Sequence, residues 1–267
     1  MPVDYHCHTA RCGHAQGSVE EYLRRARALG LEEVGFADHL PQYFLPAERR
    51  DPGLAMAEEE LADYVAEVLA AAAAGTGPAV RLGCEADYVP GREADLAAFL
   101  RAHPFDYVLG SVHYLDGWGF DNPAHLEGYA TRDRGELIVS YFRLVQRAAT
   151  SGLFDVLAHP DLIKKFGPRL PPGLTSLYEE TVRAIKKGDV CVEVNTAGLR
   201  HPVQEIYPTE EFLRLCRAHR VPVCLGSDAH RPADVGAGLE QAVALLREVG
   251  YREIALFRGR RRILREL

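Results

Sequence analysis

The stretch VDYHCHTARCGH, Val3–His14, decides the fold. It begins as a short β-rich run, Val3–His6, and carries three histidines, His6, His8 and His14. Residues two apart on an extended chain project to the same side, so His6 and His8 can grip one ion while Cys7 faces the other way. A local zinc clip would need a second C-x-x-C or H-x-x-x-H nearby, and none is present. Cys7 is therefore expected behind the strand and Cys12 in a loop. Any further ligands must come from distant parts of the chain.

They recur at a fixed kind of address. Apolar, β-rich runs lie near Glu33–Ala37, Val80–Glu85, Asp106–Ser111, Asp155–Ala158, Val190–Val194 and Pro222–Gly226. Helical periodicity fills the intervals, at about Ala57–Ala74, Arg92–Ala102, Gly135–Ser151, Leu174–Lys187, Thr209–Ala218 and Leu239–Val249. The first helix opens on a Ser18-x-x-Glu21 capping box, continues through Tyr22, Leu23, Ala26 and Leu29, and stops at Gly30. Such alternation predicts βα units around a parallel sheet buried on both faces. The 267 residues suit one domain, a closed TIM-like barrel of seven or eight units, better than two open sheets. Arg252–Arg258 is the candidate eighth strand, and whether it joins the barrel is open. Pro41–Leu54 and Tyr114–Arg134 are long for compact βα connections and are candidate lids.

Nearly every predicted strand ends on or just before a metal-binding residue: His6 and His8, Asp38 and His39, Glu85, His113, His159, Asn195, then Asp228 and His230. In a parallel barrel these C-terminal ends converge at one mouth. A single histidine at a strand end is ordinarily a hydrogen-bonded core or loop residue, and one carboxylate there is ordinarily a cap. Seven of eleven histidines at the same end of the strands, with Glu85 and Asp228, exceed that reading. His103, His125, His201 and His219 keep it. The nine candidate ligands, His6, His8, His14, His39, Glu85, His113, His159, Asp228 and His230, are too many for one ion, since catalytic zinc takes about three protein ligands. Two or three divalent ions are expected, and imidazole with carboxylate suits Zn, Fe(II) or Mn.

Composition narrows the partners. A hydrophobic fraction of 47 % is ordinary for a globular chain, and no run approaches the roughly 18–20 apolar residues of a membrane span. With no signal-peptide pattern, the expected compartment is the cytoplasm. The six cysteines, mostly single among apolar neighbours, then read as buried thiols. A net charge of -7 argues against a nonspecific nucleic-acid binder. The terminal RGRRRILREL reads as a solvated helical tail. Only four of the 31 basic residues are lysine, which suggests biased base composition or a thermophilic habit. Association into a homo-oligomer is left open.

In their order along the chain, HCH, GH, ADH, CEAD, SVH, AHP and SDAH resemble the motifs of the polymerase and histidinol phosphatase (PHP) superfamily. LGSVHYLDGWGFDNP, AHPDLIKKFG, EVNTAGLRHPVQEIYP and GSDAHRPADVG are similar to its histidinol-phosphatase branch. Arg11 departs from the family, which often has an aromatic residue there. The resemblance implies a distorted (β/α)7 barrel with three metals: His6, His8, Glu85 and Asp228 on one, Glu85, His113 and His159 on a second, His14, His39 and His230 on a third. It also implies hydrolysis of L-histidinol phosphate, a small phosphate monoester, to L-histidinol and phosphate. In that chemistry two ions hold a bridging hydroxide in line with phosphorus while a third draws off charge.

The leaving group is a primary alkoxide and needs an acid or a metal. Asp161 is the candidate acid, and Asp38 is expected to orient a ligand imidazole. Arg200, in the loop after Asn195, could fork onto phosphate, with Asn195 and Arg11 as further candidate substrate contacts; a surface-charge role is the alternative for both arginines and for Lys164 and Lys165. Three rival readings remain. An amidohydrolase would need a bridging lysine where His113 stands. A PHP-type phosphoesterase could act on nucleotides or other monoesters. A non-catalytic metal-binding PHP domain would ordinarily have lost ligands.

Overall fold

A computed structural model describes residues 3–75, 77–167 and 169–267. Four parallel strands come first: β1 (Val3–Cys7), β2 (Glu33–Phe36), β3 (Ala79–Asp87) and β4 (Tyr107–Ser111). A small hairpin, β5 (Tyr114–Leu115) and β6 (Trp118–Gly119), interrupts the series. Then β7 (Val156–Leu157), β8 (Cys191–Asn195) and β9 (Val223–Gly226) complete a sheet in the order β1-β2-β3-β4-β7-β8-β9. Its edges approach through one bridge, Cys7 to Ala229, where His8 N donates to Ala229 O (2.9 Å) and Ala229 N to His6 O (3.0 Å). The result is a nearly closed (β/α)7 barrel, with every expected strand in place to within two residues at either end.

Among the described residues the α-helices are α1 (Val19–Ala28), α2 (Leu61–Ala74), α3 (Glu93–Arg101), α4 (Glu127–Ala130), α5 (Arg134–Thr150), α6 (Thr175–Gly188), α7 (Glu210–Ala218) and α8 (Leu239–Val249), the long ones on the connections between strands, with short 3-10 turns between them. The reciprocal capping box of Ser18 and Glu21 starts α1. Its apolar face, Tyr22, Leu23 and Ala26, is buried in the layer between sheet and helices. All six cysteines are free and buried.

Aromatic side chains fill the N-terminal half of the bore. Tyr107 donates from its hydroxyl to Tyr5 O at 2.6 Å, and the two rings meet edge to face at 5.0 Å. A Cβ on Gly83 would stand 2.3 Å from Tyr107 Cζ, so only glycine lets the ring lie there.

The chain's end corrects two expectations. Arg252–Arg258 does form a strand, β10 (Glu253–Arg258), but it pairs antiparallel with β11 (Arg261–Glu266) and not with the barrel. The basic RGRRRILREL is thus a strand of a hairpin, not a helical tail. Gly259 and Arg260 both take positive φ, which allows a two-residue turn. The arginines are consumed at the base of the barrel: Arg260 pairs with Asp155, Arg262 with Asp189 (2.7 Å) and Arg265 with Glu32 (2.6 Å). Phe257 closes the bore beneath Tyr5, their rings 6.0 Å apart.

Candidate metal centre and active site

At the opposite mouth the strand ends deliver their side chains to one point, the carboxylate of Glu85. It is 2 % exposed, and its neighbours are imidazole nitrogens: His6 Nε2 at 3.2 Å, His8 Nε2 at 3.5 Å and His39 Nδ1 at 3.1 Å from Oε2, His159 Nε2 at 3.0 Å and His113 Nε2 at 3.4 Å from Oε1. Asp228 Oδ1 faces His6 Nε2 (3.7 Å), His8 Nε2 (3.2 Å) and His230 Nδ1 (3.4 Å). His14 Nε2 lies 3.1 Å from His230 Nε2, and the His39 ring is 5.3 Å from that of His14. The structure therefore brings all nine candidate ligands together.

The backbone is bent to achieve this. His159 (φ 28°) and Asp228 (φ 53°) both sit at positive φ, where a side-chain-bearing residue costs about 1–3 kcal/mol. Two such residues in one cluster point to a constraint imposed by function.

Burial alone would raise the Glu85 carboxyl, but His39, His6 and His113 outweigh it and hold it well below the usual range. Burial, joined by the charge on His8, pushes His230 down to about 3. His113 is held up at about 10, against burial, by Asp121, Asp87 and Glu85. His8 is fully buried with neither ring nitrogen in a hydrogen bond. Imidazoles packed nitrogen to nitrogen around carboxylates, with a buried ring unsatisfied, match the donor chemistry of divalent cations such as zinc.

Carboxylates stand behind the rings of the cluster. Asp38 lies with Oδ1 3.5 Å from His8 Nδ1, without a hydrogen bond between them, and is itself tied to Thr9. Asp87 Oδ1 holds His113 Nδ1 at 2.8 Å. Glu193, which the sequence reading passed over, does most: Oε1 meets His6 Nδ1 at 2.6 Å, and Oε2 accepts from His159 N (3.0 Å) and Asn195 Nδ2 (3.0 Å). A Cβ on Gly226 would stand 2.1 Å from Glu193 Oε1, so the glycine makes room for the carboxylate. The available signal was an acid in the middle of the apolar strand DVCVEV, where an unpaired charge would be costly.

A cavity of ≈ 380 Å³ opens over the cluster, with Arg200, Lys165, His201 and Asp121 on its walls. Arg200 Nη2 donates to Ser227 O (2.6 Å) and Asp228 O (3.2 Å), which fixes the guanidinium beside the ligands. Three other expectations need correction. Asp161 is fully buried and absent from the cavity wall: Oδ2 pairs with Lys164 Nζ (2.9 Å) and accepts from Thr209 N (2.8 Å), so it anchors a loop and is not placed as an acid. Asn195 is spent on Glu193 and on Asp228 Oδ2 (3.3 Å) and does not face substrate space. Arg11 turns outward to Glu67, 3.0 Å away. Asp121, Lys165 and His201 occupy the wall instead; Asp121 was not singled out, His201 was read as an ordinary core or loop histidine, and Lys165 looked like surface charge.

The sequence pattern of the PHP domain matches residues 4–197. The chain belongs to the PHP family. This PHP domain is 42 % identical over 259 residues to a "Probable histidinol-phosphatase" of Deinococcus radiodurans, spanning 97 % of each chain. It is 28 % identical to a "Histidinol-phosphatase" of Bacillus subtilis over 89 % of this chain and 96 % of the relative. Its fold is that of histidinol phosphate phosphatase from Lactococcus lactis, solved with Zn, L-histidinol and phosphate, at a TM-score of 0.85, 21 % identity and 98 % coverage of both chains. Asp228 and His230 lie beyond the matched family pattern, whereas the Deinococcus relative aligns over 97 % of the chain.

Proposed function

We propose that the protein is a histidinol-phosphatase, a metal-dependent phosphoric monoester hydrolase that converts L-histidinol phosphate to L-histidinol and phosphate in histidine biosynthesis. The observation that carries the reading is the ring of five imidazoles about Glu85 at the mouth of a PHP barrel that aligns over 89–97 % of its length with relatives of that name. Residues 1–267 form one metallohydrolase domain in this reading.

His6, His8, Glu85 and Asp228 would hold one divalent ion, Glu85 with His113 and His159 a second, and His14, His39 and His230 a third. Such ions supply water activated at neutral pH and positive charge for the phosphoryl oxygens. The chain's own groups do the rest. Glu193 and Asp87 hold the rings of His6 and His113 in place from behind, and Asp38 lies beside the ring of His8. Arg200, steadied by two carbonyls, turns its remaining donors to phosphate. Lys165 adds a second positive charge to the same wall. No helix among the described residues is long and apolar enough to cross a membrane, and the six free thiols suit the reducing cytoplasm.

Exhaustive chelation should abolish turnover of histidinol phosphate, and Zn, Mn or Fe(II) should restore it. Unchanged turnover after verified metal removal would overturn the mechanism. Faster hydrolysis of a mononucleotide than of histidinol phosphate would overturn the substrate.

A further inference from the structure

The terminal hairpin is fastened to the base of the barrel by its arginines, but its outer edge stays open. Across the two-residue turn, Arg258 and Arg261 form the narrow, mutually hydrogen-bonded pair, and wide and narrow pairs alternate from there. Leu267 N, donating to Arg252 O at 2.9 Å, keeps the same phase at the far end. The main-chain groups of Arg261, Ile263 and Arg265 therefore point to β10, and those of Arg262, Leu264 and Glu266 point away from it. No hydrogen bond from the described residues reaches these last three main-chain positions. The same strand carries the most exposed large apolar side chains among the described residues, Ile263 at 45 % and Leu264 at 52 %. An open edge of this kind is a template for another strand.

Charge decides which strand fits. β11 reads RRILRE, Arg261 to Glu266, and its four charged residues repel most incoming strands. A parallel copy in register would set arginine against arginine. An antiparallel copy about a two-fold axis through Leu264 is self-complementary. Its narrow pairs join the outward main-chain groups: Leu264 meets Leu264 of the second copy, and Arg262 meets Glu266 of the second copy, this last pair occurring twice by symmetry. In the wide pairs Ile263 lies against the aliphatic stem of Arg265, and no like charges stand directly opposite. Arg262 can accept a further acid, because Asp189 occupies its Nη1 and Nη2 and leaves Nε. A shift of two residues in either direction would set Leu264 against a charge and lose both Arg262–Glu266 pairs.

We propose that the outer edge of β11 docks a second copy of this chain, joining the two hairpins into one continuous antiparallel sheet across a two-fold axis. The contact lies at the N-terminal mouth, where Arg260 and Arg262 tie the hairpin to Asp155 and Asp189, so the metal mouths of both copies stay uncovered. One strand pair buries less than the roughly 1,200–2,000 Å² of a stable complex, which sets the expected Kd on the order of 10 µM.

Sedimentation velocity over a dilution series of the metal-loaded wild type should show monomer and dimer in exchange. Leu264→Lys sets two ammonium groups on the axis and should raise Kd by about tenfold or more, with kcat/KM on histidinol phosphate held within about twofold. Leu264→Cys should form an intermolecular disulfide under mild oxidation, since Cα atoms of a narrow pair lie about 5.5 Å apart. Ile263→Cys should not, because each residue 263 stands two positions out of line with its own copy, beyond the about 7 Å that a disulfide spans. The six native thiols are buried and do not compete. A wild type that stays monomeric up to about 0.5 mM would overturn the proposal without recourse to any variant. So would a dimer whose Kd ignores Leu264→Lys, or equal cross-linking at positions 263 and 264.

Discussion

At the N-terminal mouth of the barrel, Glu33 accepts from Tyr5 Oη at 2.7 Å and from Arg81 Nε at 2.9 Å, and Asp106 accepts from Leu82 N and Gly259 N. At the C-terminal mouth, Asp228 Oδ1 stands 3.2 Å from His8 Nε2, yet neither ring nitrogen of His8 makes a hydrogen bond. His14 and His230 meet there nitrogen to nitrogen. The same seven strands therefore carry one end on which charges cancel within the chain and one end whose imidazoles and carboxylates match the donor chemistry of divalent cations. The first end holds the fold together, and the second keeps in reserve the interactions that chemistry needs.

The contrast is most exposed at Glu85. Glu85→Gln should lower kcat/KM by on the order of 10³-fold or more, because the carboxylate is shared by two proposed ions. Elemental analysis should find more than one equivalent of metal missing. A variant with full metal content and turnover would erase the distinction between the two ends.

Phe257→Ala probes the other end. Emptying the space beneath Tyr5 should cost about 3–5 kcal/mol in denaturant unfolding. Metal content and turnover per folded molecule should stay unaltered; loss of metal would show that the ends are coupled.

Glu193→Gln keeps shape and removes charge behind His6 and the His159 backbone. Metal affinity should weaken about 10- to 100-fold, with little change in unfolding of the metal-free protein. The reverse result would assign Glu193 to the structural end.

The smallest effect is on pH. Burial, with help from Lys165, lowers His201 to about 4 from an ordinary 6.5. The unfolded chain takes up this proton first, so the folded state loses stability as pH falls from about 6.5 towards 4, and the contribution is complete above that window. His201→Gln should flatten that part of the profile in the metal-free protein.

What the sequence made legible follows the same division. Ligand addresses could be read because each follows an apolar strand, and parallel topology sends all strand ends to one face. The direction of a side chain could not. Asp161, Asn195 and Arg11 occupy plausible addresses but turn to Lys164, Glu193 and Glu67, choices made by neighbours distant in sequence. The terminal hairpin was hidden because its arginines look solvated until Asp155, Asp189 and Glu32 are brought opposite them. Asp121 lies in a loop without periodicity, so only the folded connection reveals its position on the cavity wall.

Tyr107 lies across the bore with Phe257 below it, so side chains fill the N-terminal half of the barrel. In the proposed reaction substrate would enter, and both products depart, at the C-terminal mouth. Inorganic phosphate lingering there excludes the next ester, so its inhibition should be competitive, and the rate under accumulating product is governed by traffic at that entrance.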